Sequence, residues 1–218
     1  MFKLYIEKNG DPEKRLSIET DSVKFAGAHF VATRSHRGKT YHHAALLRSA
    51  RTLLEEEGIV ALGLRAITRH AGVSPTAAVP HFGNLTGLLS ALATVGYEEL
   101  GDALTPVVEQ GAHAVGVAYV RFAMLNPGLF TLMFRSDMLD RQDPAFAAAS
   151  ARTSAILTQL VEDAGPAQSG RSHAAIRAAL WAKVHGLAVL AVDGFLEILL
   201  ANEKEKLSLE ELIKDALR

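Results

Sequence analysis

The chain has 218 residues, enough to bury one substantial core or to divide into two modest domains. Its 23 basic and 24 acidic residues nearly cancel, which excludes a polybasic nucleic-acid coat and leaves any such contact to a local patch. The absence of cysteine excludes disulfides, thiolate zinc sites and cysteine nucleophiles, and fits a reducing cytoplasm.

Residues 1–33 read as an accessory extension. "FKLYIEK" and "RLSIET" alternate in period two about "NGDPEK", the pattern of a short β-hairpin. No signal peptide is expected from the start "MFKLYIEKNG", because charges interrupt it before a long apolar run forms. No ligand set completes a metal site around His29, so no metal is expected there.

From Tyr41 the spacing becomes helical, with Ala45, Leu46, Ala50, Leu53 and Leu54 on one stripe and "EEEG" closing the helix at Gly58. Leu64, Ile67 and Ala71 predict a second, shorter helix that stops at Gly72. Ser74-Pro75 then offers an N-cap and a first-turn proline for a third. Asn84 caps a fourth helix over "LLSALATVGYEELGDAL", and Thr105-Pro106 and Asp143-Pro144 are further cap-plus-proline starts. "NPG" at 126 and "GPAQSG" at 165 break the chain between helices. A long helix runs from about His173 to Asn202, and Ser208 with Glu211 forms a capping box for a terminal amphipathic helix. Nine helices are predicted after the hairpin, an all-α fold. Leu180 to Leu200 is the most apolar stretch, but Lys183, His185, Asp193 and Glu197 interrupt it, so a soluble cytoplasmic protein without a membrane partner is expected.

Residues 64–81 carry the marks of a helix-turn-helix: two short helices with apolar faces, a glycine-marked turn, and a second helix free to enter the major groove. "LLEEEGIVALGLRAITRHAGVSPTAAVPHFGNLTGLLSALA" resembles the N-terminal domain of the tetracycline-repressor (TetR-like) family of transcription regulators. "NPGLFTLMFR" at 126–135 and "WAKVHG" at 181–186 resemble the ligand and dimer domain of one branch of that family, named for its Trp, His and Gly. The resemblance implies an all-helical homodimer with a DNA-binding head over 34–83 and a ligand-binding and dimerisation domain over 84–218. The heads would hold a palindromic double-stranded DNA operator, and the second domain a small-molecule effector.

The family usually reads Tyr-x-His-Phe at the end of the recognition helix and places a Lys or Arg near the start of the next. Here the chain has Val79-Pro80-His81-Phe82, then Leu85 and Thr86. Two phosphate contacts are missing, and Pro80 lacks the amide that would bond back to Thr76. Phosphate contacts set affinity and register while base edges are read elsewhere, so weakening rather than abolition is expected. Thr76 and Ala77 are candidate base readers after the Ser74 cap, unless both serve only helix initiation. Arg65 and His81 are candidate phosphate contacts. The segment before the first helix adds Arg37, Lys39 and Thr40 as a basic arm. Residues 34–81 hold seven Lys or Arg against three Glu, a local excess that DNA contact requires.

Phe122, Leu125, Phe130, Met133 and Phe134 surround the NPG break, and Trp181 and His185 lie four apart on one helix face. Together they form either an adaptable apolar ligand wall or ordinary core packing. Small residues on several faces of 144–164 and 173–200 ask for cover from a two-fold partner. The expected function is a repressor released from its operator by a small apolar molecule, or else a ligand-binding dimer whose operator binding is lost or weakened. An enzyme is not expected: the chain offers no paired catalytic carboxylates, phosphate-cradling loop or nucleophile elbow, and implies no catalytic residues and no cofactor.

Overall fold

A computed structural model describes residues 34–163, 172–202 and 207–218, with the side chains of 34–41 and 163 outside that description. The expected hairpin over 1–33 and His29 lie outside the described residues, as do the side chains of Arg37, Lys39 and Thr40. The described residues form ten α-helices and two 3-10 turns, with no strand among them.

Three helices make the head: α1 (Arg34–Glu57), α2 (Leu64–His70) and α3 (Pro75–Phe82). α1 starts earlier than expected. The basic segment before Tyr41 continues the helix backbone and does not precede it as an arm. The predicted stripe is buried, with Leu46, Ala50, Leu53 and Leu54 meeting Ile67 of α2 and Ala78 of α3. Gly72 turns the chain between α2 and α3 at φ 69°, a conformation that side chains other than glycine resist.

Helix α4 (Leu85–Leu104) is the shared spine. Asn84 caps it as predicted, its side chain accepting from the Gly87 amide at 2.9 Å. Leu88, Leu89, Leu92 and Leu100 are buried in a core that runs without a break from head to body. Thr105-Pro106 does not open a helix. The Thr105 hydroxyl bonds back to the Gly101 carbonyl at 2.7 Å, a 3-10 turn follows over Thr105–Gln110, and α5 (Ala112–Leu125) begins after Gly111.

After the NPG break come α6 (Pro127–Met133) and α7 (Pro144–Asp163), the latter capped by Asp143, which accepts from the amides of Ala145 and Phe146. The long helix expected over 173–202 is two helices, α8 (His173–Val192) and α9 (Phe195–Asn202). The Asp193-Gly194 turn divides them, with the Gly194 amide bonded to the Ala191 carbonyl at 3.2 Å, which accounts for ten helices instead of nine. Asp193 and Glu197 thus fall beyond the end of α8. Among the described residues α8 is long and apolar enough to cross a membrane, as is the bent pair of α5 and α6 taken together, but α8 packs against α5 and α7 here. The capping box at Ser208 and Glu211 opens α10 (Leu209–Ala216), which folds back on α5.

Head and body meet at the end of α1. The Glu55 carboxylate accepts from the amides of Gly128 and Leu129 at 3.4 and 3.3 Å, capping α6 from 73 residues away. Arg51 bridges Glu99 of α4 at 2.5 Å and the Asn126 side chain at 2.7 Å. The approach is close: a Cβ at Gly128 would stand 2.9 Å from the Leu54 carbonyl oxygen. A Cβ at Gly87 would stand only 2.0 Å from the carbonyl oxygen of Phe82, at the corner joining α3 to α4. Both atoms are backbone and cannot swing aside. Gly128→Ala and Gly87→Ala should each lower the thermal midpoint, by about 1–3 kcal/mol of stability for ordinary overpacking and more for Gly87, as measured by thermal denaturation.

Candidate functional site

The outward face of the head is α3. It stays helical through Pro80 to Phe82, and its outer side is open: Thr76, Val79 and Pro80 are exposed, while Ala78 is buried against the core. Of the two expected base readers, Thr76 is exposed and Ala77 half-buried. Ser74 stands at the cap position, but its hydroxyl pairs with the Thr76 hydroxyl at 2.9 Å instead of taking a free amide, so the expected side-chain cap is absent. Arg65 is exposed at the first turn of α2. His81 is half-buried in a ring cluster with Phe82 and with His42 and His43 of α1. His43 stacks on Phe82 at 4.6 Å and meets His81 edge-on at 5.9 Å. Val79, standing where the family's tyrosine would be, is 52 % exposed.

The body holds a half-open cavity of about 780 Å³ between α4, α5, α7 and α8, within the range of about 300–1,000 Å³ for small-molecule sites. Phe134 and Trp181 line it. Phe130 and Met133 are buried behind it, Phe130 edge-on to Tyr119 at 5.7 Å and the Met133 carbonyl accepting from the Tyr97 hydroxyl at 3.3 Å. Phe122 and Leu125 sit elsewhere, on a separate shallower cleft between α5 and the 3-10 turn, with Leu125 73 % exposed.

His185 does not line the cavity but supports its wall. Its ring lies 4.4 Å from that of Phe134 and 5.6 Å from that of Trp181, and its Nδ1 shares a hydrogen bond of 3.0 Å with the Tyr119 hydroxyl. Burial lowers the His185 pKa and raises those of Tyr119 and Tyr97, the last partly opposed by the positive charge of Arg141. All three groups are therefore neutral near pH 7, and the cavity presents hydrogen-bonding groups without charge on this side.

Tyr97, Tyr119, Arg141 and Arg177 all line the cavity, and sequence reasoning missed them. No local signal marks them, since Tyr119 meets His185 across 66 residues and only the pairing of α5 with α8 brings them together. The triad of Arg51, Glu55 and Gly128 at the head-to-body junction is hidden for the same reason. Among the described residues no group of three His, Cys, Asp or Glu is placed to hold a metal ion.

Comparison with known proteins identifies the frame. Residues 46–92 match the family model "Bacterial regulatory proteins, tetR family", and residues 112–216 match "Tetracyclin repressor-like, C-terminal domain". Among solved structures, a protein of unknown function from Rhodococcus sp. RHA1 is 27 % identical, with a TM-score of 0.64 over 81 % of this chain and 90 % of its own. The TetR family transcriptional regulator PfmR from Thermus thermophilus is 17 % identical, with a TM-score of 0.56 over 79 % and 94 %. The superantigen PfiT shares the fold at 18 % identity and a TM-score of 0.56 over 81 % and 94 %, so the fold alone does not fix the task. No curated protein matches the chain. With both the head and the body matched, each by its own model, the chain belongs to the tetracycline-repressor family of transcription regulators.

Proposed function

We propose that this protein is a ligand-responsive transcription repressor acting as a homodimer in the cytoplasm. Its two α3 helices would lie in successive major grooves of a palindromic operator until a small molecule enters the cavity. The observation that carries this reading is the position of α6. Its first turn is bonded to Glu55 of the head, and the aromatic rings at its other end, Phe130 and Phe134, pack on His185 at the cavity wall. A ligand that displaces Phe134 moves a helix tied to α1, and the spacing of the two heads follows. The effector works only through its differential affinity for the two spacings.

In this reading Thr76 reaches a base edge, Ala77 and Ser74 shape the start of α3, and Arg65 and His81 face phosphates. Arg37, Lys39 and Thr40 add phosphate contacts from the first turns of α1. Phe134 and Trp181 touch the ligand, with Tyr119 and His185 as the polar handle behind them. Phe130 and Met133 hold that wall. The dimer forms through α8 and α9. Val189, Leu190, Phe195, Ile198 and Leu199 are exposed there, and a Cβ at Gly186 would meet nothing within 4 Å. Such an apolar face invites cover from a second copy.

A second reading, a ligand-binding dimer with weakened operator recognition, is favoured by the exposed Val79 and by Leu85, which packs against the core where a cation would stand free. Fluorescence anisotropy across a salt series separates the two. The repressor should bind its own upstream DNA at least about ten-fold tighter than random DNA at low salt, with log K falling by about 0.9 per phosphate neutralised. Equal binding to both would sink the repressor reading. Pro80→Arg should steepen that dependence by roughly two in a dimer, one new phosphate contact for each head. Ile198→Glu, judged by light scattering, should yield a folded monomer with operator affinity reduced by at least about a hundred-fold, since each head then binds a half-site alone.

A further inference from the structure

The cavity has an apolar floor that includes Leu100, Val115, Leu157 and Val184, and a lining whose formal charges have one sign. Arg141, Arg177, Lys183 and Arg218 all line it, and among the described residues no Asp or Glu does. Asp215 holds Arg218 at 3.0 Å. Arg141, Arg177 and Lys183 have no carboxylate partner among the described residues. Three uncompensated cations on a concave surface draw anions toward it.

Arg177 is the best placed of the three. It is half-buried and shares a stripe of α8 with Trp181 and Val184, both in the cavity wall. Its Nη1 donates to the Thr158 hydroxyl of α7 at 2.9 Å, which fixes the guanidinium while leaving its other donors without an acceptor among the described residues. Ser154, one turn before Thr158, also lines the cavity, and its hydroxyl makes no hydrogen bond among the described residues. A planar fork held at one corner, beside a free hydroxyl, is suited to a carboxylate.

We propose that the cavity binds an amphipathic carboxylate, its head on Arg177 with Arg141 and Lys183 contributing charge, and its hydrocarbon body on the Leu100, Val115 and Val184 floor. The proposal rests on the reading of the cavity as the effector site and replaces a purely apolar effector by an acidic one. Selectivity comes from the contrast between a neutral Tyr119–His185 wall and a cationic set that an uncharged ligand leaves unpaired.

Trp181 is the chain's single tryptophan and lines the cavity, so its fluorescence reports occupancy in the intact protein. Three probes with one tail and different heads, dodecanoate, dodecanol and dodecyltrimethylammonium, are titrated below their micelle concentrations. Dodecanoate should bind at least about ten-fold tighter than dodecanol, and the cationic probe most weakly. Arg177→Gln should cut the advantage of the acid to about three-fold or less and leave dodecanol affinity unchanged. Where that variant fails to fold, raising salt to about 0.5 M with the unmodified protein should erode the acid's advantage and spare dodecanol. Equal saturable binding of all three probes would overturn the anion preference and leave the cavity a ligand site. No saturable response to any of them would overturn both. Parallel losses of acid and alcohol binding in a folded Arg177→Gln would make Arg177 a structural residue and also overturn the proposal.

Discussion

The last turns of α1 meet the first turn of α6 at a single junction, and the geometry of both halves depends on it. Leu54 and Leu129 are fully buried there, each contributing about 1.5–3 kcal/mol of apolar burial. Polar groups add register. The Arg51–Glu99 pair is 30 % and 41 % exposed on its two sides, so its net contribution is small, on the order of 1 kcal/mol or less. Its value lies in direction: one guanidinium ties α1 to α4 and to the Asn126 turn at once. Glu55 fixes the remaining freedom by capping α6, whose own N-cap residue, Asn126, commits its side chain to Arg51 and to the Phe122 carbonyl. A helix that cannot cap itself is handed to the neighbour that can. Shifting α6 therefore means breaking contacts with α1 or taking α1 along.

The far end of the same helix faces the cavity. Phe130 and Phe134 form a continuous ring cluster with Tyr119, His185 and Trp181, so a displacement of one ring is felt by all. Burial keeps His185 neutral, and its bond to Tyr119 is a neutral one worth about 0.5–1.5 kcal/mol. Such a contact can be exchanged for a ligand's own hydrogen bond at little cost. Three cations line the same space, Arg177 half-buried and Arg141 and Lys183 exposed. The cavity thus combines neutral hydrogen-bonding groups with cationic side chains.

Much of this frame is legible in the sequence because its signals are local. Stripes at helical spacing place the buried faces of α1 and α2, and Asn84, Asp143 and Ser208 cap as their residue types demand. The failures have one cause each. Thr105-Pro106 looks like a helix start, but the threonine hydroxyl bonds to the carbonyl of the preceding turn instead. Asp193-Gly194 divides what periodicity reads as one apolar helix, since both halves keep the same face to the core, with Ala188, Ala191 and Leu196 buried in turn. At the candidate site, the Phe134 and Trp181 positions follow from a break and a spacing. Arg177 and Tyr119 depend on which helix lies beside which, and that is a property of packing alone. Leu125, read as part of the same wall, faces outward because α5 ends at Asn126 and its last turn lies at the rim of a different cleft.

Pro80 shows how a local defect can be tolerated where a global one is not. In a helix interior a proline costs about 3 kcal/mol, through a missing bond and a crowded turn. α3 is only eight residues long, and Pro80 is on its exposed side, so the carbonyl of Thr76 that loses its partner can be hydrated in the free protein. The helix is held by what lies beneath it: Ala78 buried in the core, and Phe82 stacked on His43 of α1. α3 thus tolerates Pro80 because packing beneath it, and not its own ladder of hydrogen bonds, holds the helix in place.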